Sequence, residues 1–257
     1  MANDDYLKDR PVKEVAAWYL RLADFWDKNA GVTPSLAAMF LRKWVQNRKD
    51  GPIEFDAPDH LKDNYSVTDV LLVHREIFLT NQKTKAGSWG GILPRIQGAK
   101  GFTKWDMKSN LSLTYESLSD IAPDIVAIAK VQKFGSNADR DIFGSLRGYQ
   151  LKSTVEVAIV PPVAPKQGVT FVSWYASGKD RYDWNYSEYL TVPNPDFRSK
   201  DPKAIRPQDE KIRVYHSNAQ RLELAGEACP YDVVLKPWKV TNVKVSGPAT
   251  IDTTRSL

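Results

Sequence analysis

The sequence predicts an α+β protein, with an N-terminal helical hairpin region packed on a C-terminal antiparallel, partly open, β-barrel-like sheet. Three observations lead there. Apolar residues recur at three- and four-residue intervals between Val12 and Trp44, the period of a helix face. From Leu151 onward they alternate with polar residues, the period of a strand. The later strands follow one another through turns, with no regular alternation of strand and helix, which favours α+β over a doubly wound parallel fold. The chain has 257 residues, enough for one large domain or two small ones. The expected division is a helical and mixed region over 1–130 and a β-rich region over 131–257.

Composition narrows the class. Hydrophobic residues make up 42% and charged residues 26%, with eight Trp, eleven Tyr and nine Phe, so the chain can bury a sizeable core. The formal charge is +5. Its densest basic stretches, Arg42-Lys43 and Arg48-Lys49, are short and sit beside a helix end. A nucleic-acid partner, which would call for a clustered basic face, is therefore not expected. Anionic lipid head groups or anionic cell-wall material remain open as targets, and with them a membrane surface. Cys229 is the single cysteine, which excludes an intramolecular disulfide and a cysteine-based zinc site. Its neighbours Ala228 and Pro230 offer no base, so a small buried thiol is expected. The acidic start, Met1 to Asp5, lacks the apolar core of a signal peptide, and no apolar run approaches the roughly 20 residues of a membrane-spanning helix. Synthesis in the cytoplasm is expected, with any work elsewhere requiring a dedicated carrier.

Taken in order, Pro11 suits a first helical turn, and Val12, Val15, Ala16, Tyr19, Leu22, Ala23 and Trp26 form one helix face. Thr33-Pro34 reads as the cap of a second helix carrying Leu36, Ala37, Phe40 and Trp44. Asp50-Gly51-Pro52 interrupts the pattern. Val67 to Leu79 is rich in β-branched and aromatic residues and reads as a strand. Residues 84–104, with five glycines, read as a long loop of no nucleotide-binding spacing. The stretch from Leu111 to Ile128 is ambiguous, with a short helix suggested near Pro123. Leu151 to Ile159 is a half-buried strand, Pro161 to Gly168 a turn, and Val169 to Ala176 the return strand. Pro193 to Glu210 reads as an extended loop and Lys211 to Tyr215 as a short strand. Ser217 is expected to cap a helix over 218–225 that Gly226 ends. Val233 to Leu235 and Val240 to Val245 would close the sheet, leaving a tail from Gly247.

One segment concentrates chemistry. Asp180-Arg181-Tyr182-Asp183-Trp184-Asn185 follows a strand directly and holds two carboxylates, a phenol, a guanidinium and an amide. In extended chain Asp180 and Tyr182 share a face and Asp183 opposes them, unless Gly178 allows a bend. Two readings stay open from spacing alone. Close carboxylates can hold a divalent cation or act as an acid–base pair. Equally, the segment can be a solvated hairpin end with an Asp-Arg surface pair.

Read across a longer window, Phe143-Gly144, Leu151 to Val157, Trp174-Tyr175 and Asp180 to Asn185 resemble the activity domain of colicin M. That family shows a Gly-containing strand, a paired strand ending in aromatics, and then Asp-x-Tyr-Asp-aromatic-Asn. The resemblance covers about residues 140–190, with an echo at Pro230 to Leu235. The first 130 residues look more like an uncharacterised proteobacterial family met near type VI secretion genes. The resemblance implies an antibacterial hydrolase that cuts lipid II between its undecaprenyl chain and pyrophosphate in the periplasm of target bacteria. It further implies a divalent cation, Mg2+ by expectation, held by Asp180 and Asp183, with Asp180, Tyr182 and Asp183 catalytic. Arg181 and Asn185 would contact substrate. An immunity protein and a secretion-system carrier would be the partners. The chain departs from the family where a His-Arg pair should follow, at Tyr189-Leu190. His216 and Arg221 are the candidates to replace that pair. The alternative is a non-catalytic adaptor or binding module of the same delivery system.

Overall fold

The computed structural model describes residues 5–80, 111–121, 136–146, 148–159, 166–184, 189–198, 211–243 and 249–252. These form an α+β fold whose sheet is mixed, not wholly antiparallel, and is not closed. The chain makes two compact units, each assembled from three separate stretches: Met1–Leu61, Ala122–Tyr149 and Lys179–Val234 in the first, Lys62–Ile121, Gln150–Gly178 and Leu235–Leu257 in the second. Both units thus draw on both halves of the sequence.

The first unit is built on the predicted helical hairpin. Helix α1 (Val12–Asn29) buries Val15, Trp18, Tyr19 and Leu22, and helix α2 (Leu36–Gln46) buries Phe40, Leu41, Trp44 and Val45. Between them Gly31 adopts φ +67°, a conformation that L side chains rarely take. The cap of α2 is Ser35, whose hydroxyl accepts from the Ala38 amide; the expected cap, Thr33, lies outside the helix. Strand β1 (Pro52–Phe55) starts just beyond Gly51. Helix α5 (Asn137–Ser145) opens on a capping box between Ser136 and Asp139. It contains Phe143-Gly144, which the colicin M resemblance would put in a strand. Strands β5 (Tyr189–Pro193) and β6 (Lys211–Tyr215) pair antiparallel, and helix α6 (His216–Leu224) follows at once. Its N-cap is Tyr215 and not Ser217, while Gly226, at φ +69°, follows its end as expected.

In the second unit the expected strand over 67–79 is a helix, α4 (Tyr65–Thr80), preceded by the short α3 (Asp59–Lys62). Asn64 starts α4: its side chain accepts from the Ser66 amide and its carbonyl from the Val67 and Thr68 amides. Val67, Leu71 and His74 are buried at a spacing of four and three, so packing on a helical period overrides the β-branched composition. His74 sits against Ser153 of strand β3 (Tyr149–Ile159), Nδ1 to Oγ 2.6 Å, and burial pushes its pKa down to about 4. The ambiguous stretch from Leu111 is strand β2 (Leu111–Ile121).

The main sheet runs β1, then β7 (Tyr231–Lys239), β4 (Lys166–Tyr182), β3 and β2. Strand β4 extends well past Ala176, and β7 continues unbroken through Pro237. Residues Val240 to Val243 do not form the expected further strand. The expected tail contains β8 (Ala249–Asp252), which pairs with Lys166 to Val169 of β4. At Gly178 a Cβ would come within 2.9 Å of Leu235 Cδ1 and 3.4 Å of the Gln150 carbonyl, so a side chain there would oblige Leu235 to shift. The loop at 84–104, the helix suggested near Pro123, most of the turn after β3 and the proline-rich stretch over 199–210 lie outside the described residues. Among the described residues no helix is long and apolar enough to cross a membrane.

Candidate functional site

Asp180-Arg181-Tyr182 is the end of β4, not the tip of a hairpin. The pleat continues one step further. Tyr182 and Trp184 are buried, Arg181 and Asp183 are exposed, and Asp180 is half-buried on the Tyr182 side. Asn185 lies outside the described residues.

Arg181 is the centre of an ion cluster. Its Nη1 and Nη2 donate to the two oxygens of Asp50 at 2.6 and 2.8 Å, and Nη1 also donates to Asp232 at 3.0 Å. Asp50 precedes β1 and Asp232 is the second residue of β7, whose amide donates to the Gly51 carbonyl. The guanidinium therefore clasps the chain where β1 and β7 begin. Its hydrogen bond holds the Asp50 carboxyl below the usual carboxylate range, against a smaller opposing effect of desolvation. Sequence reading missed both partners as site residues, although Asp50-Gly51-Pro52 and Pro230-Tyr231-Asp232 are each noticeable locally.

Asp180 behaves differently. Burial pushes its pKa up to about 7, the neighbouring Asp183 charge adds to the rise, and a hydrogen bond from the Arg181 amide (2.7 Å) opposes it. A carboxyl of this kind can exchange a proton near neutrality. Glu223 of α6 joins the same electrostatic neighbourhood. It accepts from Trp44 Nε1 at 2.8 Å, and burial first, then the Asp183 charge, raise its pKa.

Tyr182 belongs to an aromatic core. Its ring stacks on Tyr231 at 5.5 Å and meets Phe40 at 5.9 Å and Trp184 at 6.4 Å, edge to face. Burial raises its phenol pKa well above the ordinary value, which withholds it from proton transfer near neutral pH. His216 is buried with its ring 4.9 Å from that of Trp184, again edge to face. Arg221 donates to the carbonyls of Leu7, Lys8 and Arg10 and to Asn218, tying the N-terminal segment to α6. Cys229 is partly exposed, and desolvation raises its thiol pKa.

Asp183 is thus the electrostatic neighbour common to Asp180 and Glu223, and Arg181 is taken up by Asp50 and Asp232. Tyr182, His216 and Arg221 are held by packing or by hydrogen bonds within the fold. Among the described residues no group of three or more His, Cys, Asp or Glu side chains is arranged to hold a metal ion. Asp180 and Asp183 gain no third such ligand among the described residues. No protein-family model matches the chain, and neither a curated protein nor a solved structure matches it.

Proposed function

We propose that the chain is a non-catalytic binding or adaptor module of a toxin-delivery system, with the type VI apparatus as the carrier suggested by its N-terminal resemblance. The observation that carries this reading is the commitment of Arg181 and Arg221, the two arginines of the candidate site, to the fold. Arg181 is neutralised by Asp50 and Asp232, and Arg221 is bound to three backbone carbonyls and Asn218. A pyrophosphate leaving group needs cationic stabilisation of its developing charge. On this reading Asp180 to Asp183 is an architectural clasp, and partner contacts fall on exposed positions of α1 such as Lys13, Ala17 and Lys28.

One observation favours a second reading, hydrolysis of a lipid-linked cell-wall precursor in the periplasm. Asp180 titrates at about 7 beside Asp183, the behaviour of a general acid with a neighbouring carboxylate. Expression of the chain with and without a periplasmic signal peptide separates the two. The adaptor reading expects no killing in either compartment, and loss of carrier binding when the exposed positions of α1 are changed. Lysis confined to periplasmic expression and relieved by Asp183→Ala would replace it with the hydrolase.

A further inference from the structure

The β5–β6 ribbon carries a surface made of other residues. Its register sets Tyr189 opposite Tyr215, Thr191 opposite Arg213 and Pro193 opposite Lys211. With a side-chain period of two, these six share one face, and Leu190, Val192, Ile212 and Val214 share the other. Burial follows the same division. Val192, Ile212 and Val214 are buried, whereas Tyr189, Thr191 and Lys211 are exposed and Arg213 and Tyr215 half-buried. Five paired positions at about 3.4 Å each give a face on the order of 14 Å long.

The chemistry of that face is one-sided. The Arg213 guanidinium lies 4.8 Å from the centre of the Tyr189 ring, and the Tyr189 and Tyr215 rings are 5.5 Å apart. A guanidinium stacked on a ring still presents its N–H edge to an anionic oxygen. Lys211 adds a second cation. No Asp or Glu is among the six residues, and neither cation makes an ion pair among the described residues. Tyrosine suits a boundary at which its ring is shielded and its hydroxyl stays wet.

We infer that this face docks on a phospholipid surface bearing anionic head groups. A two-stranded face with two cations and two tyrosines at one level matches a planar array of phosphates over an apolar layer. Arg213 already covers one face of Tyr189, which leaves less ring open to the stacking of nucleic-acid bases. The inference holds for an adaptor and for a hydrolase alike.

The test is co-sedimentation of the full chain with phosphatidylcholine vesicles, pure or containing one third phosphatidylglycerol. Binding should require phosphatidylglycerol and weaken as salt screens the charges. Lys211→Gln and Arg213→Gln should each lower the partition coefficient about five-fold, and the double variant about twenty-five-fold. Thr191→Glu, which removes no interaction of the face, should lower it comparably, with circular dichroism confirming that each variant is folded. Equal binding to pure phosphatidylcholine, or an unchanged double variant, would overturn the inference. So would displacement from the vesicles by inorganic phosphate at constant ionic strength, by oligonucleotide, or by self-association through this face.

Discussion

Two carboxylate networks in the first unit use the same chemistry at opposite levels of burial. At Arg181 the partners Asp50 and Asp232 are exposed, and their side chains retain 61% and 54% of their accessible surface. At Asp141, on α5, the carboxylate is 1% exposed. It accepts from the Ser35 hydroxyl at 2.6 Å and from the amides of Leu36 and Ala37 at the start of α2, and it lies 2.9 Å from His60 Nε2. Asp141 satisfies the orphan donors of a helix N-terminus from another element. Water can replace the partners of Arg181, but nothing replaces Asp141. The conspicuous motif is therefore the weaker node, and an inconspicuous aspartate is the stronger.

The comparison breaks most directly at Asp141. Asp141→Ala should cost about 3–5 kcal/mol, because it leaves two amides, a hydroxyl and His60 without their acceptor. Urea denaturation measures this, and a loss under about 1 kcal/mol would mean that the site relaxes or hydrates. Asp141→Asn should recover only part of the loss, since its nitrogen cannot accept.

Asp180 sharpens the contrast from between the two extremes. Its folded pKa of about 7 lies above the ordinary 3.8, so between these values the folded state holds a proton that the unfolded state has lost. Its contribution is fully present below the unfolded value and disappears as pH rises through about 7. Asp180→Asn should flatten the decline in stability between about pH 4 and 7, by about 1–2 kcal/mol once solvent screening is allowed for. Parallel wild-type and variant profiles would refute the coupling.

The smallest effect is expected at the clasp. Arg181→Gln should destabilise the protein far less than Asp141→Ala, and 1 M salt should erase most of the difference. Because Arg181 holds the Asp50 pKa down, this contribution is present above the ordinary carboxylate value and is lost as pH falls below it. A salt-insensitive loss as large as that of Asp141→Ala would make the two networks equivalent.

What could be read in the sequence follows the range of the interactions. Helix α1 was legible because Val15, Tyr19 and Leu22 repeat locally, and β6 because Ile212 and Val214 alternate with polar neighbours. Helix α4 reads as a strand in the sequence because its run of Val, Leu and Ile suits either element, and only the burial of Val67, Leu71 and His74 decides between them. The capping box at Ser136 is a local Ser-x-x-Asp signal, and it lies just ahead of Phe143-Gly144, which the colicin M resemblance would put in a strand. At the candidate site, Asp180 to Asp183 stood out as a cluster. The partners that define Arg181 lie 131 and 51 residues away, and no local pattern reports such a pairing.

The interleaving of the two units also sets a clock on synthesis. The Tyr231 hydroxyl that bonds the Phe40 carbonyl emerges 191 residues after it, and the Glu223 partner of Trp44 Nε1 emerges 179 residues after the tryptophan. At about 5–20 residues per second the α1–α2 hairpin waits on the order of 10–40 s for these partners. During that interval the faces carrying Trp18, Tyr19, Phe40 and Trp44 lack the residues that cover them in the finished fold, so nascent chains are open to chaperone capture or to association with one another.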